Sequence, residues 1–150
     1  MAKWLEKTLE TRAPAAVALV RGLVGTVFLS EGVQKFLYPL TLGTGRFAKI
    51  GFPAPEWTAF IVAVFEIICG FLVIAGLLTR LASIPLLVII SVAILTTKLP
   101  MLANQGIWAM AHEARTDWCM FLGTIFLIIV GGGRWSLDAL VTSGPPDSNH

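Results

Sequence analysis

The chain has 150 residues, of which 56% are apolar and only 13% charged, with a formal net charge of +2. Ordinary soluble domains carry about 25% charged and about 45–50% apolar residues, and a body this small has too little interior to hide the excess. A mean hydropathy of +0.81 points to lipid as the solvent, and scattered basic residues give no nucleic-acid footprint.

Residues 1–14 alternate charged and apolar positions at helical spacing, with Trp4, Leu5 and Leu9 on one side and Lys3, Lys7 and Glu10 on the other. This pattern predicts a short amphipathic helix in the headgroup region. Glu6, Glu10 and Arg21 argue against a cleaved signal peptide, whose leading region is basic and whose apolar core is uncharged. Four apolar runs of membrane-spanning length follow, over about 15–37, 57–78, 82–99 and 117–133. The fold expected over 15–142 is therefore an all-α, polytopic membrane protein, a four-transmembrane-helix antiparallel bundle. Thr79-Arg80-Leu81 is a tight hairpin with Pro85 in the first turn of the third helix. The segments Tyr38–Glu56 and Pro100–Thr116 read as long connections, a common place for function. Residues 143–150, Ser-Gly-Pro-Pro-Asp-Ser-Asn-His, read as a flexible tail.

With four spans, both termini share a side with the tight hairpin. That side collects Lys3, Lys7, Arg12, Arg80 and Arg134, against Arg46, Lys49, Lys98 and Arg115 opposite. The positive-inside rule then puts both termini in the cytoplasm.

The informative residues are ionisable groups within the spans, each costing about 2.5–3.5 kcal/mol at a helix centre and therefore turned toward protein or water. At about 100° per residue, Arg21, Val24, Gly25, Phe28, Glu31, Gly32 and Lys35 share one face of the first helix. Glu31 and Lys35 stand in the favourable order for a pair along one helix. In the second helix Glu66, Gly70, Val73, Leu77 and Arg80 share a face. Glu66 falls near the bilayer midplane, where it is expected either protonated or paired. Depth alone makes Arg21 its best-placed cation. The sequence thus predicts an outer polar layer of Glu31, Lys35, Arg115 and Asp117, and an inner one of Arg21, Glu66 and Arg80. Arg80 and Arg134 also suit membrane-edge anchoring. No metal site is expected: His112-Glu113 lacks a second histidine at helical spacing. Cys69 and Cys119 differ in depth by roughly 10 Å, too far for a disulfide.

These same residues carry a resemblance. Arg21-Gly22, Phe28, Gly32 and Lys35 resemble the opening motif of the DoxX family, and Phe65-Glu66, Gly70, Gly76-Leu77 and Thr79-Arg80 resemble its second-helix pattern. Arg115-Thr116-Asp117, followed by Gly131-Gly132-Gly133-Arg134-Trp135-Ser136-Leu137-Asp138, resembles its closing pattern. The resemblance implies a four-helix protein of a prokaryotic plasma membrane, related to membrane subunits of a terminal quinol oxidase system and of thiosulfate:quinone oxidoreductase. No family catalytic residue carries over.

Two functional readings follow. In the first, the chain is a non-catalytic accessory subunit of a quinone-linked oxidoreductase complex. It has no recognisable ligands for haem, iron–sulfur or flavin and no intrinsic cofactor is expected. Quinone would bind at Arg21 and Glu66 between Phe28 and Phe65, with electrons handled by partner subunits. In the second, a homo-oligomer forms a proton-coupled transporter around Glu66. An assembly or scaffold factor, its charges merely fixing the bundle, is the bland alternative.

Overall fold

The computed structural model describes residues 14–142, so the expected interfacial helix over 1–14 and the tail over 143–150 fall almost wholly outside the described residues. Those described are helical, with no strand among them. Helix α1 spans Val17–Leu37, α2 Thr44–Ile50 and α3 Pro55–Ala75. Helix α4, Thr79–Ala93, passes through a π-helical turn at Ile94–Lys98 directly into α5, Leu99–Gln105. Helices α6, Ile107–Glu113, α7, Arg115–Val130, and α8, Leu137–Thr142, complete the described residues. Among the described residues, three helices are long and apolar enough to cross a membrane: α1, α3 and the continuous 27-residue run from Thr79 to Gln105. The fourth long helix, α7, has 16 residues, about 24 Å at 1.5 Å per residue.

The four long helices form a ring in the order α1, α3, α4, α7, each packed on its two neighbours, so α1 lies diagonal to α4 and α3 to α7. The α1–α3 seam is the most extensive, and small residues close it. A Cβ on Gly25 would lie 2.7 Å from the Gly70 carbonyl oxygen, and one on Gly70 would lie 2.9 Å from the Gly25 carbonyl oxygen. Such contact between backbones is how helices associate in lipid, where no hydrophobic force drives them together. Large apolar side chains such as Leu19, Phe71, Ile84, Leu122 and Ile129 point outward, the arrangement a hydrocarbon solvent permits.

Both outer connections differ from the loops expected. Tyr38–Glu56 contains α2, and Pro100–Thr116 lies almost wholly within α5 and α6. Their glycines punctuate short helices instead of dissolving them: Gly51 and Gly106 end α2 and α5 with φ of 85° and 84°, a backbone region open to glycine at little cost. The third helix also starts earlier than expected, so Pro85 lies inside it. The early start comes from a distant partner: Asp138, in α8, accepts hydrogen bonds from the Leu78 and Thr79 amides at 2.6 and 3.0 Å. It thereby caps a helix whose preceding residue, Leu78, sits at φ 50°, a strained position for a branched side chain.

Candidate functional site

Two polar clusters sit at opposite ends of the ring. The first lies at the end where Gly76–Leu78 turns α3 into α4, called here the hairpin end. Arg21, 5% exposed, donates to the carbonyls of Val73 (3.0 Å), Ile74 (2.8 Å), Gly132 (2.7 Å) and Trp135 (2.5 Å). A planar guanidinium with five N–H groups suits this divergent set of acceptors. Asp138, 1% exposed, completes the cluster from α8. The Asp138 amide donates to the Gly76 carbonyl at 2.9 Å, so α8 is tied to the turn from both ends of that residue. Arg80 donates to the Ile129 carbonyl, and Arg134 is exposed beside it. Among the described residues every hydrogen-bond acceptor of Arg21 is a backbone carbonyl, so this cluster is a structural latch.

The second cluster lies toward the opposite, loop end. Glu66 is 3% exposed and stands 11 residues into α3, about 16 Å from its start. Lys35 Nζ donates to Glu66 Oε2 at 2.7 Å and lies 3.7 Å from Glu31 Oε2. Lys98 Nζ lies 3.1 Å from Asp117 Oδ2. The four charges therefore alternate around the ring: Lys35 on α1, Glu66 on α3, Lys98 at the end of the α4 run and Asp117 on α7. The two ammonium groups come from one diagonal pair of helices and the two carboxylates from the other. All four line a cavity of about 500 Å³, within the about 300–1,000 Å³ common for small-molecule sites. Phe28 and Met120 supply apolar wall, and α2, packed on α3, contributes Arg46 and Phe47.

The pairing of Glu66 corrects the expectation from depth. Arg21 is already committed to carbonyls two turns deeper, and Glu66 belongs to the outer layer with Lys35. A helical side chain leans toward its helix N-terminus, so the lysine at position 35 reaches a carboxylate deeper in the bundle. Phe65 faces away from the cavity at 47% exposure, on the lipid side, whereas Phe28 is buried in the wall. Arg115 is exposed, and Glu31 is the more exposed partner of Lys35.

Lys98 had no place in the expected polar layers: it lies in the last turn of the expected third span and counted only toward the charge of the outer side. The signal for it was available: Lys98 and Asp117 flank the two loop-end helices, and the apolar run before Lys98 never breaks. Its placement depends on the π turn, in which Thr96 and Thr97 bond back to Val92 and Ala93. Such turns inside helices recur at functional sites. Cys69 and Cys119 are free thiols, the first buried and the second exposed.

Comparison with known proteins agrees with this architecture. The family model DoxX matches residues 16–99, which include Arg21, Phe28, Lys35, Glu66 and Lys98. A Mycobacterium tuberculosis protein named "Uncharacterized membrane protein Rv3486" is 52% identical over 138 residues, covering 88% of this chain and 85% of its own length. A Bacillus subtilis protein named "Putative oxidoreductase CatD" is 31% identical over 134 residues, covering 87% and 90% respectively. No solved structure matches the chain. Its apolar helical bundle, its motifs in their order and these full-length relatives agree: the chain belongs to the DoxX family.

Proposed function

We propose that this chain is a non-catalytic membrane subunit of a quinone-linked oxidoreductase complex and that its loop-end cavity holds the quinone headgroup. The observation that carries this reading is the alternating four-charge ring around a cavity walled by Phe28 and Met120. A quinone ring is flat and apolar on both faces, with two carbonyl oxygens on opposite edges. Lys35 and Lys98, from diagonally opposite helices, supply one charged donor for each edge. Phe28 and Met120 suit the ring faces, aromatic and thioether groups both packing well on π systems. When bound, a quinone supplies a two-electron, two-proton couple. Glu66 and Asp117 hold the two lysines in place and can pass protons to or from them. Electrons come from a partner subunit, in keeping with a relative named as an oxidoreductase. The proposed setting is a prokaryotic plasma membrane with cytoplasmic termini, supported by Arg80 and Arg134 at the hairpin end. Transport across the bilayer would need an aqueous path through the Arg21 latch, where the guanidinium is buried among carbonyls.

Binding of a short-chain quinone to the detergent-purified protein tests the site. Removing one charged donor, as in Lys35→Met or Lys98→Met, forfeits about 1.5–3 kcal/mol, so each variant is expected to bind about 10–100-fold more weakly. Equal affinity in all three proteins, or no binding by the wild-type chain, would reject the site.

A further inference from the structure

We infer that the Lys35–Glu66 pair communicates with water on one side of the membrane only, through a vestibule at the loop end, so that protons reach it solely from the compartment facing that end.

The vestibule is a second, more open space of about 820 Å³ bounded by Leu40, Thr41, Arg46, Lys49, Ile50, Thr96 and Thr97. Arg46, Ile50, Thr96 and Thr97 border the inner cavity as well. The two spaces therefore meet at one threshold, formed by α2 on one side and the π turn on the other. Two cations and three hydroxyls stand on its walls, and a roomy space with several polar partners is what holds water. Inward of the threshold, the one cavity that Thr96 and Thr97 border is also bordered by Lys98, Asp117, Lys35 and Glu66.

The opposite direction is closed. Below Phe28 and Met120 the bundle axis is filled by Val24, Val73, Leu86 and Leu127, each with 0% exposure. These belong to one continuous apolar core, and a tightly packed apolar layer excludes water. Alongside it, the contact of Gly25 with Gly70 leaves no gap on the α1–α3 seam. Beyond it, Arg21 bonds the end of α3 to the Gly132–Trp135 segment. An open half that carries the charge ring and a close-packed half meet at the level of Glu66.

The proton part of this inference rests on the quinone reading: protons taken up on reduction, or released on oxidation, would be exchanged vectorially. The access part stands on the cavities and the core alone.

Cysteine accessibility separates the two. In a Cys69→Ala/Cys119→Ala background, Val62→Cys and Thr97→Cys place a thiol on the inner cavity and its threshold. Lys49→Cys marks the loop-end surface and Leu140→Cys, 70% exposed in the wild-type residue, the hairpin end. Right-side-out and inverted membrane vesicles are treated with a charged, membrane-impermeant thiosulfonate, with and without duroquinone, whose fully substituted ring leaves no open position for thiol addition. The expected result is modification of Val62→Cys and Thr97→Cys in the same vesicles that label Lys49→Cys, at least tenfold faster than in those that label Leu140→Cys. Modification from the Leu140→Cys side, or from neither side, overturns the inference. Protection by duroquinone reports on the quinone site: sided labelling without protection would leave the access path standing and remove the quinone.

Discussion

Replacing Arg21 with methionine tests the structural half of the molecule. Its guanidinium donates to four carbonyls. The Val73 carbonyl keeps a second donor, the Gly76 amide at 3.1 Å, which leaves Ile74, Gly132 and Trp135 to lose theirs. Each buried acceptor left bare costs about 1–3 kcal/mol, about 3–9 kcal/mol in sum. Trp135 is 74% exposed, so water can replace the donor there, and the expected loss falls to about 2–6 kcal/mol. Arg21→Lys keeps the charge but has three donors on a shorter stem, and should lose about half as much. Asp138→Ala removes the cap on the Leu78 and Thr79 amides, for about 2–4 kcal/mol. Because Asp138 and Arg21 meet at Gly76, the double variant should cost less than the two singles added. Equilibrium unfolding in mixed micelles measures all four proteins. An Arg21→Met chain within about 1 kcal/mol of wild type would refute the latch, since a surface-anchoring arginine has that small an effect.

Two further perturbations probe the membrane-embedded packing. Lys35→Met leaves Glu66 buried without its partner and should cost about 3–5 kcal/mol, whereas Lys35→Met/Glu66→Leu should return to within about 1 kcal/mol of wild type in the same unfolding assay. A double variant as unstable as the single would show that the pair is not what holds these helices in place. Gly25→Ala drives a methyl into the Gly70 carbonyl oxygen and should destabilise by about 1–3 kcal/mol. Gly22→Ala, with nothing within 4 Å of the added carbon, should be neutral or stabilise by up to about 1 kcal/mol. Equal effects at the two glycines would contradict the close α1–α3 seam.

Much of the bundle was readable from periodicity. Arg21, Val24, Gly25, Phe28 and Gly32, which share a helical face in sequence, are all buried in α1, as are Glu66, Gly70 and Val73 in α3. The pairing of the charges was not readable. Depth along an axis places Arg21 near Glu66, but depth ignores the lean of Lys35 toward its N-terminus and the demand of bare carbonyls at the α3–α4 turn. Asp138 lay beyond the last apolar run, where nothing local marks it as the cap of a helix about 60 residues earlier. Lys98 lay in the last turn of the expected third span, and treating Pro100 as the start of a loop left it as a charge at the outer edge. Proline is tolerated at the first positions of a helix, and the α4 run continues across it. The short helices α2, α5 and α6 were masked by glycines that end helices as readily as they open loops.

The most direct test of a quinone headgroup within the four-charge ring is mass spectrometry of lipid extracts from the protein purified out of native membranes in mild detergent. Wild-type protein is compared with Lys35→Met/Glu66→Leu, whose fold is expected to survive the removal of both charges. Stoichiometric quinone with the wild-type chain, and its loss from the double variant, is the predicted result. Quinone absent from both, or retained equally by both, would contradict the assignment of that cavity.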